Sequence, residues 1–402
     1  MIHHSGFVVE PWSLHETKLD LEYLAQTESL FSLANGHIGM RGNLDEGEPY
    51  GIPGTYLAGF YEQRRLPYAE PGYGYPEAGE TTVNVTNGKV LRLLVEDEPF
   101  DIRYGTLLAH ERVLDLRAGV LTRTVEWSSP TGRVVRVRST RVVSLSRRAI
   151  AAIRYEVEPV EGKLPVVVQS ELVANEPLPT GEDDPRGSTG PETALVTRHA
   201  AVDGSRGLLV HATRASKLQV AAAMGHVLDT TQQVDVSSES RDDLARVTFA
   251  GDVEPGSPLR LIKYVAYGWS GGRSADALQD QVAAALASAH QSGWEKLLSE
   301  QREYLDRFWE GADMEIEGDD ELQQAARFAL FHILQAGARG EQRPIAAKGL
   351  TGPGYNGHAF WDTETYVLPV LMYTAPRAAR DALAWRHGTL GAARERARVL
   401  GL

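Results

Sequence analysis

Apolar and polar residues alternate along many short runs between about residue 80 and residue 269. In residues 153–157 apolar side chains alternate with charged ones, and in residues 121–127 Arg123 shares a face with Trp127 and two aliphatic residues. Further apolar runs cover residues 166–172, 208–212, 218–224, 246–249 and 259–267. Period-two alternation interrupted by glycine, proline and aspartate turns is typical of antiparallel sheets. We therefore predict an N-terminal β-sandwich domain over residues 1–269.

The first 80 residues are rich in glycine and irregular in pattern. Gly36, Gly39 and Gly42 stand three residues apart, which raises the alternative of a phosphate-binding loop. The full spacing of that motif and its Lys-Ser/Thr pair are missing, so tight turns between short strands are the better interpretation. A polar stretch at residues 177–191 predicts a long loop within the sheet region.

Beyond residue 269 the apolar residues take up the spacing of helices. Ser274 is placed to cap a first helix, and Ser292 with Glu295 has the spacing of a capping box for a second. A third helix is predicted from Asp320 to Gly337, and shorter helical patterns continue to the last residue.

The helical region divides into a linker at residues 270–312 and the beginning of a helical domain at residues 313–402. About five or six helices are expected after the sandwich, too few to close a helical catalytic domain. The predicted fold class is therefore multidomain β plus α, with a β-sandwich first and an incomplete helical domain last.

The most informative segment is the glycine-rich stretch at residues 348–364, which lies between two helical patterns. It contains four glycines, several aromatic residues, a histidine, an aspartate and a glutamate. Glycine lets the backbone approach a ligand closely, and an aromatic ring beside a carboxylate suits a sugar, which offers an apolar face and hydroxyl groups. The stretch therefore predicts a ligand site.

Trp361 and Asp362 are the strongest candidates for sugar binding. An alternative stays open, in which Trp361 fills core and Asp362 or Thr363 caps the next helix. Lys348 and His358 lie nearby and are weaker candidates, since each can donate a hydrogen bond to a ligand oxygen. Two aromatic clusters nearer the N-terminus could line a site or pack a loop: Tyr56, Phe60 and Tyr61, and Tyr68, Tyr73 and Tyr75.

Glu364 lies two residues after Asp362, and paired carboxylates are the acid–base groups of glycosidases. Positions i and i+2 of a helix point about 200° apart, so these two carboxylates cannot flank one bond. A first-turn carboxylate favoured by the helix dipole is the better interpretation of Glu364. No residue of the chain is assigned as a catalytic acid.

Composition narrows the function classes. With 42% hydrophobic and 24% charged residues the chain can bury a core, and global disorder is excluded. A net charge of −13 argues against nucleic acid or an anionic membrane as a partner. The absence of cysteine excludes disulfides and thiolate metal sites, and no pattern of metal ligands stands out. Without a visible signal peptide or membrane span, a cytoplasmic location is expected.

Residues 349–364, Gly-Leu-Thr-Gly-Pro-Gly-Tyr-Asn-Gly-His-Ala-Phe-Trp-Asp-Thr-Glu, strongly resemble a signature of glycoside hydrolase family 65. That family holds the maltose, trehalose and kojibiose phosphorylases and some hydrolases. The likeness also covers residues 30–43, 54–62 and 84–88, and so runs along nearly the whole chain. It implies an N-terminal β-sandwich, a helical linker and an (α/α)6 barrel, of which residues 313–402 would be the first part.

Family resemblance also implies roles for particular residues. Trp361 and Asp362 resemble the family's contacts to the non-reducing glucose, whereas Lys348 and His358 receive no firm role. The family's general acid is a glutamate later in the barrel, followed by the phosphate-binding residues. The general acid is therefore expected beyond Leu402, and this chain alone is expected to be inactive.

The activity that the resemblance implies is inverting phosphorolysis of an α-linked glucose disaccharide of the maltose, trehalose or kojibiose type. The products would be β-glucose 1-phosphate and a sugar, with inorganic phosphate as co-substrate and no cofactor. An inverting α-glycoside hydrolase of the same family stays open as an alternative, as does a non-catalytic sugar-binding or dimerising fragment. A homodimer is expected for the full-length protein.

Overall fold

The computed structural model of the protein describes residues 5–65, 78–177 and 193–402. Most of the polar loop predicted at residues 177–191, and the cluster Tyr68, Tyr73 and Tyr75, lie outside these residues. The strands found in the described part are β1 (Phe7–Glu10), β2 (Ser13–Glu16), β3 (Leu33–Ala34), β4 (Ile38–Met40), β5 (Thr55–Leu57), β6 (Tyr61–Arg65), β7 (Ala78–Thr82), β8 (Leu91–Val95), β9 (Glu98–Pro99), β10 (Thr106–Asp115), β11 (Val120–Ser128), β12 (Val134–Val143), β13 (Ile150–Pro159), β14 (Leu164–Val173), β15 (Leu195–Asp203), β16 (Arg206–Thr213), β17 (Gln219–Leu228), β18 (Val234–Arg241), β19 (Leu244–Val253) and β20 (Leu259–Ser270). The helices are α1 (Leu24–Leu30), α2 (Ala275–Ser292), α3 (Trp294–Ala312), α4 (Asp320–Gly337), α5 (Leu368–Thr374), α6 (Pro376–Gly388) and α7 (Leu390–Val399).

Two large antiparallel sheets make up the N-terminal part, which confirms the prediction that this part is sheet-rich. One sheet has the order β1-β2-β10-β11-β12-β13-β20-β17-β16-β15, and the other has the order β18-β19-β14-β8-β9. Within the described residues, β3, β4 and β5 form a small separate sheet, and β6 pairs with β7. The alternation of apolar and polar residues fixes the register in which the strands pair. For example, Val137 of β12 stands opposite Val157 of β13, and both side chains are buried.

A single apolar core joins the two large sheets. Val125, Trp127 and Tyr155 of the larger sheet belong to the same buried cluster as Val168 and Phe249 of the smaller one. The opposite face of the larger sheet is covered by α2, whose buried stripe is Leu278, Val282 and Leu286. Strand β17 is therefore buried on both faces, which explains why its sequence reads as a continuous apolar run rather than an alternating one.

Charged side chains in the core are held by partners from distant parts of the chain. Arg123, on the apolar face of β11, donates from Nη1 to Glu46 Oε2 at 2.8 Å. Arg112 donates from Nε to Glu16 Oε2 at 3.0 Å and from Nη2 to Oε1 at 3.1 Å, and His110 contacts the same carboxylate. Buried charges of this kind are tolerated only when paired.

The predicted helices are present, with one error at a helix start. Ser274 accepts a hydrogen bond from the Ala277 amide at 3.2 Å, so it caps α2 as expected. The capping box at Ser292 and Glu295 is wrong, because Ser292 is the last residue of α2 and its hydroxyl donates back to Ser288 O. Gly293 separates α2 from α3 instead, and its φ of 81° is accessible mainly to glycine.

Helices α3 and α4 share the core of the sheets. Leu305, Phe308 and Trp309 of α3 and Phe331 and Leu334 of α4 belong to the same buried cluster as the sheet residues. The secondary structure changes from strand to helix after Ser270, but the core does not change there. The boundaries at residues 269 and 312 stay predictions.

The last helices form a smaller apolar cluster around Ile345, Leu368 and Leu371. Pro376 occupies the first turn of α6, as its fixed φ allows. The (α/α)6 barrel stays a prediction for this region. No helix within the described residues is long and apolar enough to cross a membrane.

Candidate functional site

The glycine-rich stretch of residues 348–364 forms most of the connection between α4 and α5, and its two ends are held together. The Ala347 amide donates to His358 O at 3.0 Å, which closes the stretch into a loop. The hydroxyl of the buried Thr363 donates to Ile345 O at 3.3 Å. These bonds join the start of the loop to its end, so the residues near Thr363 lie on a fixed backbone. We call residues 348–364 the site loop.

One side of the site loop is docked on β4 and its neighbours. Arg41 is buried, and its guanidinium donates to the Thr351 carbonyl of the site loop and to Ile52 O at 3.1 Å. Gly39 of β4 lies directly against Leu350, where an added Cβ would stand 2.2 Å from the Leu350 Cβ. Gly39 is therefore a glycine because the site loop leaves no space for a side chain.

Replacing Gly39 by alanine is expected to lower the free energy of unfolding by about 1–3 kcal/mol, the usual cost of inserting a methyl group into a packed contact. Chemical denaturation of the purified chain measures this loss. Gly272 is the matched control, since a Cβ added there meets nothing within 4 Å. Equal stability of Gly39→Ala and the parent chain would contradict the close contact.

A second set of contacts ties the site loop to the β6–β7 hairpin. Asn356 Oδ1 accepts from Thr81 Oγ1 at 3.2 Å, and His358 Nε2 donates to Glu80 O at 2.6 Å. Tyr355, Asn356 and Gly357 have φ values of 55°, 55° and 72°, so three successive residues are left-handed. This conformation is costly for Tyr355 and Asn356, and the hairpin contacts help to hold it.

Trp361 and Asp362 lie at the exposed end of the site loop. The side chain of Trp361 is 78% exposed, so the interpretation that it fills core is wrong. Asp362 makes no capping hydrogen bond, and the Thr363 hydroxyl is bound to Ile345 O, so the capping interpretation is wrong as well. Within the part of the chain that the structure describes, the Asp362 carboxylate has no hydrogen-bond or ion-pair partner. The pair thus presents an open indole face beside a free carboxylate.

Glu364 is engaged elsewhere. Arg386 of α6 donates to it from Nε at 2.6 Å and from Nη2 at 3.1 Å. The hydrogen bonds from Arg386 lower the pKa of Glu364 below its ordinary value, so this carboxylate is ionised at neutral pH. A permanently ionised carboxylate in a bidentate ion pair is a poor proton donor, and Glu364 is better described as an anchor between the site loop and α6.

Lys348 and His358 are both exposed but differ in their contacts. Lys348 is exposed, with its Nζ 5.9 Å from the centre of the Tyr355 ring. His358 is exposed as well, but its Nε2 is bonded to the hairpin carbonyl described above. The structure therefore gives His358 a clear contact in positioning the site loop and gives Lys348 none with Trp361 or Asp362.

A cleft of about 1000 Å³ separates the site loop from the sheet region and from α6 and α7. It is lined by Tyr56, Phe60 and Tyr61, so the first aromatic cluster does line a cavity. His358 also lines it, but Trp361 and Asp362 do not. The sequence-predicted sugar contacts and this cleft are therefore separate features of the surface.

Several residues whose contacts hold the site loop in place were not predicted from the sequence. Arg41 and Arg386 occupy unremarkable positions in the sequence, and Asn356 lies within the site loop but was not singled out there. Their partners are distant along the chain. The available signals were that Arg41 falls within residues 30–43 and Asn356 within residues 349–364, two of the stretches that resemble family 65. That likeness could have pointed to both segments, but it could not have shown a contact with Thr351.

Comparison with known proteins covers both parts of the chain. Residues 14–308 match the glycosyl hydrolase family 65 N-terminal domain, and residues 327–402 match the family's central catalytic domain. An uncharacterized glycosyl hydrolase of Mycobacterium tuberculosis is 59% identical over 402 residues, covering 100% of this chain and 51% of its own length. The α,α-trehalose phosphorylase of Thermoanaerobacter brockii is 38% identical and is matched over 98% of this chain and 51% of its own length.

A solved structure shows the same arrangement. A putative kojibiose phosphorylase from the human microbiome superposes with a TM-score of 0.89 at 25% sequence identity, covering 98% of this chain and 51% of that one. This chain thus spans about half the length of the relatives that it matches. The matches to both family domains and to the relatives together show that the chain belongs to glycosyl hydrolase family 65.

Proposed function

We propose that this chain supplies the glucose-binding loop of an inverting α-glucoside phosphorylase. The complete protein would cleave an α-linked glucose disaccharide with inorganic phosphate to give β-glucose 1-phosphate. The observation that carries the proposal is the open Trp361 face beside the unpartnered Asp362 carboxylate. Relatives named trehalose, kojibiose and maltose phosphorylase, at 38%, 28% and 29% identity, support phosphorolysis.

The site suits the ring of a glucose unit. Trp361 offers an apolar face on which the carbon–hydrogen side of the ring can stack, and Asp362 can accept hydrogen bonds from ring hydroxyls. The tethers at Thr363 and Glu364 hold the backbone next to Trp361 and Asp362, so little backbone freedom is lost on binding.

The proposed chemistry is that of an inverting phosphorylase, as the names of the relatives suggest. A general acid protonates the glycosidic oxygen while phosphate attacks the opposite face of the anomeric carbon and inverts its configuration. Phosphate carries its own negative charge, so a second carboxylate is not needed to activate the nucleophile. We place the general acid in the half of the relatives' length that this chain does not span. Lys348, which contacts neither Trp361 nor Asp362, is left as a secondary contact to ligand oxygens.

Hydrolysis is the second candidate. The relative with 59% identity is named an uncharacterized glycosyl hydrolase, so water rather than phosphate could be the acceptor in this branch of the family. A hydrolase in the same scaffold would need a base to activate that water.

Phosphate dependence separates the two candidates. The full-length protein is expected to release β-glucose 1-phosphate from trehalose, kojibiose or maltose only when phosphate is present, with the anomer assigned by NMR. Free glucose released at the same rate without phosphate would favour hydrolysis and would remove the phosphorylase assignment. The present chain, assayed alongside, is expected to release neither product, because the general acid is placed outside it.

A further inference from the structure

Arg343 occupies an unusual position in the cleft between the sheets and the site loop. Its guanidinium carbon lies 4.2 Å from the centre of the Trp269 ring, and both residues line the cleft. Gly59, with a φ of 75°, lies beneath this stack, where an added Cβ would stand 3.2 Å from Arg343 Cδ and 3.3 Å from the Trp269 ring. The backbone therefore leaves space for the stacked pair and fixes where the guanidinium stands.

Within the described residues, this guanidinium has no counter-charge. Among residues 5–65, 78–177 and 193–402, no carboxylate forms an ion pair with Arg343 and no acceptor takes a hydrogen bond from it. Buried or half-buried cations normally find a partner, because a bare charge loses hydration without compensation. The indole Nε1 of Trp269 is a second donor in the pair that is buried without an acceptor in the described residues.

The surroundings of Arg343 add positive charge. Arg148 and Arg339 share a single carboxylate, Glu341, at 3.1 Å each. The buried His37 has a pKa well below its usual value, first because of its burial and then because of the charges of Arg148, Arg343 and Arg339. Arg148 and Arg339 thus have one carboxylate between them, in a chain whose net charge is −13.

Other features of the cleft limit what can bind. Glu80 also lines it, but its side chain is exposed to solvent on the hairpin. Trp269, Pro344 and Trp385 also line the cleft and offer flat or apolar surfaces, and the cleft volume of about 1000 Å³ exceeds what a bare ion fills. A small ligand with an anionic group and a ring of the size of a sugar suits this combination.

We propose that the cleft at Arg343 is a second ligand site, which binds a phosphate-type oxyanion, either free or as the ester group of a sugar phosphate. Arg343 supplies the charge-assisted hydrogen bonds, and Arg148 and Arg339 add a favourable field. The site differs from that of the attacking phosphate in the proposed reaction, since Trp361 and Asp362 are not part of its lining.

Direct binding to the present chain tests this site without reference to catalysis. Isothermal titration with inorganic phosphate and with glucose 1-phosphate, at constant ionic strength set by sodium chloride, should show saturable binding. Arg343→Gln should weaken both ligands by about ten- to a hundredfold, the usual effect of losing a charge-assisted hydrogen bond. Tighter binding of glucose 1-phosphate than of phosphate identifies the ester as the occupant, and equal binding identifies the free anion.

Arg117→Gln is the matched control. Arg117 also stacks on a tryptophan, 4.0 Å from the centre of the Trp12 ring, and its removal changes the net charge by the same amount. Phosphate binding should be unchanged in this variant. If Arg343→Gln does not fold, Arg343→Lys replaces it, since the loss of the planar fork should weaken binding by about threefold or more.

Two results would overturn the proposal. One is the absence of saturable binding of either ligand up to tens of millimolar, and the other is binding that Arg343→Gln or Arg343→Lys leaves unchanged. Neither result bears on phosphorolysis, which is measured on the full-length protein by product formation.

Discussion

Replacing Asp362 by alanine in the full-length protein is expected to lower kcat/KM for the disaccharide by about ten- to a hundredfold. Loss of a hydrogen-bond partner that carries a charge costs about 1.5–3 kcal/mol, which corresponds to that range. The melting temperature should stay unchanged, because Asp362 is exposed and caps no helix. Steady-state kinetics beside thermal unfolding of the same preparations gives both numbers.

Two further variants make the result interpretable. Asp362→Asn keeps the shape and one acceptor oxygen but removes the charge, so it should fall between the parent and Asp362→Ala. Asp320→Ala, at an exposed carboxylate of α4, should leave kcat/KM unchanged. A lowered melting temperature with near-normal kcat/KM for Asp362→Ala would remove Asp362 from the glucose site and leave it a structural role.

Replacing Arg112 by methionine is expected to lower the free energy of unfolding by about 3–5 kcal/mol, the usual cost of removing one partner of a buried ion pair. Burial alone would raise the pKa of Glu16, but the hydrogen bond from His110 and the charge of Arg112 hold it below its ordinary value. Glu16 is therefore ionised at neutral pH, and without Arg112 its charge would be buried with only His110 beside it. Urea denaturation at pH 7 measures the loss.

A double variant and a surface pair complete the experiment. Adding Glu16→Leu to Arg112→Met removes the stranded carboxylate and should restore much of the lost stability. Arg302→Met breaks the exposed pair of Arg302 and Asp306, each 49% exposed, and should cost less than about 1 kcal/mol. Equal losses of unfolding free energy for Arg112→Met and Arg302→Met would show that the buried ion pair stabilises the fold no more than the exposed pair.

The longer strands were predictable because apolar and polar residues alternate along each of them. Side chains at β11 to β13 alternate, so even the inward position of Arg123 could be predicted from its place beside Leu121, Val125 and Trp127. Its partner Glu46 could not be predicted, because a contact between residues 77 apart changes the apolar and polar pattern of neither segment. Short strands near the N-terminus, such as β1 and β2, are only four residues long and show too few repeats to be recognised.

The site could be predicted only in part, for a related reason. Composition marked the site loop, because glycine, aromatic and carboxylate residues together suit a sugar. The exposure of Trp361 and the freedom of Asp362 depend on how the loop is folded, and from spacing alone a helix cap with Trp361 in the core stayed open as an alternative. The loop conformation comes from contacts with Arg41 and the β6–β7 hairpin, which sequence spacing cannot show.

Two of the tethers that hold the site loop end on main-chain oxygens. Arg41 donates to Thr351 O, and His358 donates to Glu80 O. Every amino acid carries such an oxygen, so the residues at positions 351 and 80 can drift over evolutionary time without loosening the loop. The donors have no such freedom, because few side chains reach as far with an N–H group. Divergence among descendants of this gene should therefore fall unevenly on the two ends of each tether, and the surface charge at position 80 can change while the conformation of the site loop is inherited.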